Sequence, residues 1–292
     1  MKDMHHIYLT IVMVSIIACS AMAQTNTAEE AISVWQAGNI EGAVTIIDKC
    51  VKDPTQNTTW EVWYYKGFIY KELAKKQTAE LAHNTRIESF MAFKKAILLD
   101  PKKENFDQDS LNIKALANKF SNEAGALLNE KTYDKAIEYF NYYKQCMAVI
   151  DPNNAAVKQK EMQFKAALGT VFVTIFEKDN TREDAFKQAI EQYSQILKID
   201  SINVNANKQL GINYYNKGVA IVEDPKVVED ITLLDEAGDK AIVQYRKALP
   251  YLLRAYKYGK DKSVVEGLRN IYHALNETEL DAKYTLELEN YK

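Results

Sequence analysis

Three segments of this chain end in nearly the same way. "SFMAFKKAILLDP" (89–101), "DKAIEYFNYYKQCMAVIDPNN" (134–154) and "KQAIEQYSQILKID" (187–200) each set a small residue ahead of a large apolar one and stop at an aspartate. A pattern that returns about every fifty residues constrains the fold more than any other feature here, because one structural unit must be built several times over.

Two short signatures carry the recurrence. In the first, a small residue precedes a large apolar one by three: Gly67/Tyr70, Gly169/Phe172 and Gly211/Tyr214, and more loosely Ala31/Val34 and Ala124/Leu127. In the second, a small residue is followed at four by a large one and three later by a third member. These sets are Ala43/Ile47/Cys50, Ser89/Phe93/Ala96, Ala136/Phe140/Tyr143, Ala189/Tyr193/Ile196 and Ala248/Leu252/Ala255. Spacings of three and four put side chains on one helical face. The small residue lets two helices approach, and the large one fills the groove beside it. Asp53-Pro54, Asp100-Pro101 and Asp151-Pro152 then stop the second helix, since the residue before proline is driven out of the α region; Asp200-Ser201 is a degenerate copy. Ten glycines and five prolines in 292 residues suit long helices and argue against a sandwich or barrel with many tight turns.

These residues resemble the tetratricopeptide repeat (TPR), whose first helix carries a tryptophan-leucine-glycine-tyrosine pattern and whose second carries alanine-phenylalanine-alanine before a proline. "NKQLGINYYNKG" (207–218) matches the first half, and "FSNEAGALLNEKTYDKAIEYFNYY" (120–143) a whole hairpin with Tyr133 in its turn. The resemblance covers residues 27–290 and implies an all-α, right-handed superhelical solenoid of antiparallel hairpins, at about 27–54, 58–101, 110–152, 154–200, 203–260 and 263–292. The last segment reads as a closing repeat with a water-facing second helix. Spacing between the two signatures departs from the family. It is nine residues in the first and third hairpins, but nineteen, seventeen and thirty-four in the second, fourth and fifth. Extended helices or extra elements at those hairpin tips are therefore expected. The 219–247 insertion reads as a tip followed by a long helix kinked at Pro250. "TRED" (181–184) reads as a capping box opening the second helix of the fourth hairpin.

The N-terminus reads as a targeting segment. Lys2 precedes a twelve-residue apolar run, "IYLTIVMVSIIA" (7–18), and "AMA" (21–23) offers a cleavage site, so residues 1–23 are expected to be a signal peptide with the mature chain starting at Gln24. "IIAC" (16–19) also resembles a bacterial lipobox, which would make Cys19 a lipid-anchored first residue. No later run approaches transmembrane length. Both alternatives place the protein in the periplasm or cell envelope of a Gram-negative bacterium. Cys50 and Cys146 could pair after export. Their places on the apolar stripes of separate helices read more naturally as buried free thiols.

Catalytic patterns are not evident. There is no Gly-rich phosphate loop, no G-x-S-x-G, no H-E-x-x-H and no C-x-x-C. His83, near a hairpin tip, and His273, late in a first helix, read as surface or structural residues. No cofactor or metal site is expected, and the net charge of −3 gives no basic stripe for nucleic acid. Among the 18 tyrosines, Tyr70, Tyr193 and Tyr214 read as core along with Phe140. In the family the first helices line a concave groove, reached by positions three before, one after and four after the core glycine. The resemblance thus puts Tyr64, Phe68 and Lys71, and Lys208, Ile212 and Tyr215, in a peptide groove. The family's carboxylate-capturing Lys/Asn set is missing: Ile212 follows Lys208, while Lys114 and Asn118 fall before the matched part of their helix. The function expected is a non-enzymatic protein- or peptide-binding scaffold of the envelope. The alternative is a lipid-anchored structural or assembly component of the outer membrane.

Overall fold

A computed structural model describes residues 27–291; the signal peptide expected at 1–23 and the alternative lipidation site at Cys19 lie outside them. In chain order the helices are α1 (Ala28–Gln36), α2 (Ile40–Cys50), α3 (Trp60–Ala74), α4 (Ala79–Leu99), α5 (Phe106–Ala126), α6 (Tyr133–Ile150), α7 (Ala155–Lys178), α8 (Glu183–Ile199), α9 (Val204–Val222), α10 (Pro225–Glu229), α11 (Leu234–Tyr258), α12 (Lys262–Ala274) and α13 (Thr278–Leu288). Short 3₁₀ turns precede α11 and follow α13. No strand occurs among the described residues. The chain is all-α and divides into two compact units, the first ending at Ala117 and the second beginning at Asn118, inside α5.

Within the first unit, α1 pairs with α2 and α3 with α4, and α3 also packs on α1 and α2. Within the second, α7 pairs with α8, α9 with α11 and α12 with α13. The second helix of each pair lies against the first helix of the next. Pairing is antiparallel: Gly211 of α9 faces Leu252 of α11, while Gly218, two turns further on, faces Tyr245, two turns back.

The glycines sit where the helices touch. A Cβ at Gly67 would lie 2.8 Å from the Phe93 ring, and one at Gly169 would lie 2.8 Å from Tyr193. At Gly211 it would run into Leu252. In the second hairpin the contact is reinforced by Ser89, whose hydroxyl donates to the Gly67 carbonyl at 2.6 Å. All five second-helix sets are buried, from Ala43/Ile47/Cys50 to Ala248/Leu252/Ala255. Tyr70 is also buried and donates its hydroxyl to Asp48 of α2, an ion pair partner of Lys66.

The aspartates do more than precede proline. Asp100, Asp151 and Asp200 are the C-caps of α4, α6 and α8, with the backbone out of the helical region. Asp151 Oδ2 then accepts from Asn154 at 3.0 Å, and Asn154 caps α7 through Ala156 N–H. Asp200 does the same through Asn203, which caps α9 at Ala206 N–H. A D-x-x-N relay thus ties the end of one hairpin to the start of the next. This explains why Asp200 works without a following proline.

The three hairpins with longer spacing hold long helices, 21 residues in α4, 24 in α7 and 25 in α11, but the third, with a spacing of nine, also holds the 21-residue α5. α11 continues through Pro250, which lies between the buried Ala248 and Leu252. "TRED" does not form a capping box: α8 starts one residue later than the motif requires, with Arg182 at its N-cap, while the Thr181 hydroxyl donates to Asp179 at 2.6 Å and Arg182 chelates Asp184. Cys50 and Cys146 are buried and form no disulfide. His83 is buried in α4 rather than on the surface.

The glycine contacts predict opposite outcomes at two positions. Gly67→Val forces Phe93 aside and destabilises the fold by about 1–3 kcal/mol. Gly238→Ala in α11, with nothing within 4 Å of the new carbon, raises stability by up to ~1 kcal/mol through helix propensity. Denaturant unfolding of the two variants measures both signs.

Candidate functional site

The residues that the resemblance assigns to a groove are half-buried, and most of them are engaged by a neighbouring element. Tyr64 stacks on Trp60 with ring centroids 4.6 Å apart and meets Phe93 edge-on. Phe68 meets Trp35 of α1 at 4.9 Å. Lys71 Nζ lies 4.7 Å above the Phe68 ring and donates to Asn112 Oδ1 of α5 at 2.6 Å. Burial lowers the Lys71 pKa. In the second unit, Lys208 donates to Asp261 at 2.8 Å, and Asp261 also caps α12. Ile212 and Tyr215 pack on the cluster of Leu252, Leu268 and Tyr272. Both lysines therefore bridge from one first helix to the next.

One member of the Lys71 neighbourhood has no counterpart in the sequence reading. Asp109 of α5 is fully buried, accepts from Trp60 Nε1 at 2.8 Å through Oδ2, and has no hydrogen-bond partner on Oδ1. Burial pushes its carboxyl up to about 6, and the Asp100 charge adds to this against the Trp60 bond.

An open site lies in the second unit, between the C-terminal half of α5 and the N-terminal half of α7. A cavity of about 330 Å³ is lined there by residues including Ser121, Asn122 and Gly125 of α5, Leu128 just beyond its end, and Lys160 and Gln163 of α7. Its wall includes Phe140 and Phe164, stacked 4.1 Å apart and within 3° of parallel. Gly125 opens it, because nothing lies within 4 Å of where its Cβ would be. Asn122 and Gln163 are exposed. Lys160 reaches Ser121 Oγ at 3.5 Å and sits 5.1 Å from the Tyr143 ring. The same phenylalanine pair borders a second cavity of about 200 Å³, where Lys144 and Lys165 approach Glu161 at 3.3 and 3.6 Å.

The offset rule applied at Gly67 and Gly211 would have found half of this site. Counted from Ala124, the looser copy of the core small residue, positions three before, one after and four after are Ser121, Gly125 and Leu128. The α7 wall carries no comparable signal, since Lys160 and Gln163 precede the matched part of that helix.

Chemically, the site offers an aromatic wall, two amide side chains that both donate and accept, and one ammonium. Among the described residues, no group of three or more His, Cys, Asp or Glu side chains could hold a metal ion. No helix among them is long and apolar enough to cross a membrane.

The chain matches no protein-family model and no curated protein. Among solved structures it is similar to the crystal structure of a TPR repeats protein from Bacteroides fragilis NCTC 9343. The two share 16% identity with a TM-score of 0.46, over 90% of this chain and 96% of that one.

Asp109 generates a pH prediction. A carboxyl held near 6 in the fold and at about 4 in the unfolded chain binds its proton more tightly when folded. The stability it allows is present below the unfolded value and is lost as pH rises through 6. Asp109→Asn keeps an acceptor for Trp60 and removes the charge. Unfolding measured from pH 4 to 8 is expected to show the decline flattened, with the variant about 1–2 kcal/mol less penalised than wild type at pH 7.5. Parallel profiles would contradict the assignment.

Proposed function

We propose that this protein is a non-enzymatic scaffold that holds an extended peptide or protein segment in the α5–α7 cavity. The observation that carries this is the cavity itself. A peptide backbone needs donors and acceptors at close intervals, which Asn122 and Gln163 supply from exposed positions. Gly125 leaves room for the chain to approach, and Phe140 with Phe164 gives one apolar side chain a flat surface. Lys160, loosely held, is placed to meet a carbonyl or carboxylate.

The likeness of "NKQLGINYYNKG" (207–218) and residues 120–143 to the TPR pattern supports the same reading, since first helices are the ligand-facing ones in that family. Tyr64, Phe68, Lys71, Lys208, Ile212 and Tyr215 act in this account mainly as braces between first helices. Residues 1–23 support export to the envelope, with a mature start at Gln24; the lipobox supports the alternative start at an acylated Cys19. Intact mass of the chain isolated from its native envelope separates the two.

A photo-crosslinking residue placed at Gln163 tests the site. In native envelope it is expected to give a discrete adduct, and Gly125→Trp, which fills the cavity, removes that adduct without loss of helix content. An adduct unchanged by Gly125→Trp, or none at all, rejects the assignment.

A further inference from the structure

The second helices of the fourth and fifth hairpins border a groove of their own. It has a volume of about 290 Å³. Its lining includes Phe186, Lys187 and Ile190 of α8, Tyr214 of α9, and Gln244 and Lys247 of α11. Phe186 is buried and Tyr214 half-buried, so the two rings form its floor. The Tyr214 ring meets Phe186 edge-on with centroids 5.8 Å apart and stacks on Tyr251 at 6.1 Å. None of these residues lines the α5–α7 cavity.

The charges that line the groove are unevenly satisfied. Three lysines and two glutamates take part, an excess of one positive charge in a chain whose total is −3. Both glutamates are engaged. Glu183 pairs with Lys217, which lies 4.2 Å over the Phe186 ring. Glu191 accepts from Gln195 Nε2 at 2.7 Å and lies 3.8 Å from Lys198. Lys187 is one helical turn from each carboxylate, yet it forms neither an ion pair nor a hydrogen bond among the described residues. Lys247 has no anionic partner there either; its ammonium lies 6.0 Å from the Tyr214 ring centroid. Both lysines are exposed. Two ammonium groups without counterions thus rim an aromatic floor.

Charge and size together define the occupant. An excess of one charge matches one carboxylate, whereas a phosphate monoester carries about −1.5 to −2 at pH 7. The 223–240 insertion holds seven carboxylates against two lysines and adjoins the groove. Glu183 and Lys217 line both the groove and the cleft that contains Asp224 and Glu236 of the insertion. Its field opposes a highly charged anion such as an acidic lipid surface, or the insertion of a second copy. The volume lies at the lower limit of ligand pockets, about 300 Å³, and so suits a few side chains. The rings and Ile190 take an apolar group, and the Gln244 amide both donates to and accepts from a peptide unit.

We propose that the groove between α8 and α11 docks a segment of a partner protein that presents a single aspartate or glutamate beside an apolar side chain. The carboxylate faces the ammonium groups of Lys187 and Lys247. The apolar side chain lies on Phe186, Tyr214 and Ile190, and Gln244 meets the adjoining peptide group. This site is separate from the α5–α7 cavity and does not depend on it.

The probe is acetyl-Leu-Glu-Leu-amide, titrated into the isotope-labelled full chain and followed by nuclear magnetic resonance. It is expected to shift the Ile190 methyl and Gln244 side-chain amide signals, and to bind more weakly as salt rises. Replacing its glutamate by glutamine, or its leucines by glycine, each weakens binding by about tenfold. A phosphoserine in place of the glutamate binds no more tightly. In the protein, Lys187→Gln with Lys247→Gln weakens binding of the glutamate peptide by about tenfold. Both positions are exposed, so circular dichroism of this variant stays as in wild type. The proposal is overturned if the two signals do not shift, or if the double variant binds like wild type. It is equally overturned if the glutamine or glycine peptide binds as well as the probe, or the phosphoserine peptide binds better. Sedimentation revealing a dimer that the double variant dissolves, or binding to anionic vesicles lost in that variant, overturns it as well.

Discussion

Where Phe93 meets the bare backbone of Gly67, and Tyr193 that of Gly169, two helices lie closer than any pair of ordinary side chains permits. Close approach converts a bulky side chain on the second helix into continuous contact with the first, with no void between them. The rest of the molecule is built outward from these contacts. Antiparallel pairing fixes which face each hairpin turns to the next, and that face must itself be apolar, so α2, α8 and α11 each lie against the first helix that follows them. Lys71 and Lys208 then tie first helix to first helix at the edges of these seams.

Stacking of this kind covers most of the apolar surface it creates, and the exceptions are informative. In the third hairpin the small residue at the close-approach position is Ala124 rather than glycine, and the next residue, Gly125, is unobstructed. The helices there leave a cavity rather than a seam. At the fifth hairpin, thirty-four residues separate the signatures, more than a turn can use. The excess becomes α10 and the first turns of α11, which line a cleft with the end of the α7–α8 hairpin. The α5–α7 surface is amide-rich and aromatic and carries the Lys160 ammonium, whereas the 223–240 insertion is acidic.

Much of the fold was legible because its determinants are local. Gly67/Tyr70, Ala189/Tyr193/Ile196 and their relatives are spaced by three and four, so the same pattern that forms a helix also names its buried face. What escaped the sequence reading is mostly non-local. Lys71 meets Asn112 and Lys208 meets Asp261 across 41 and 53 residues, a separation that periodicity cannot register. Asp109 reads as one more surface carboxylate in "NFDQDS" until Trp60 is placed over it. Thr181 shows a local failure: α8 starts with Arg182 at its N-cap, one residue later than the motif implies, and the Thr181 hydroxyl donates to Asp179 in an Asx turn outside the helix. The Asp-x-x-Asn relay was visible as Asp151–Asn154 and Asp200–Asn203, but the adjoining proline took the credit.

The small-against-large contact is tested most directly by a double-mutant cycle between Gly211 and Leu252. Gly211→Ala strains the contact and Leu252→Ala empties it, so each alone is destabilising. Together the added methyl moves into the space the leucine leaves, and the combined loss falls short of the sum by about 1 kcal/mol or more. Losses that add to within about 0.3–0.5 kcal/mol would mean that the two residues do not share a contact and that something else holds the hairpins closed.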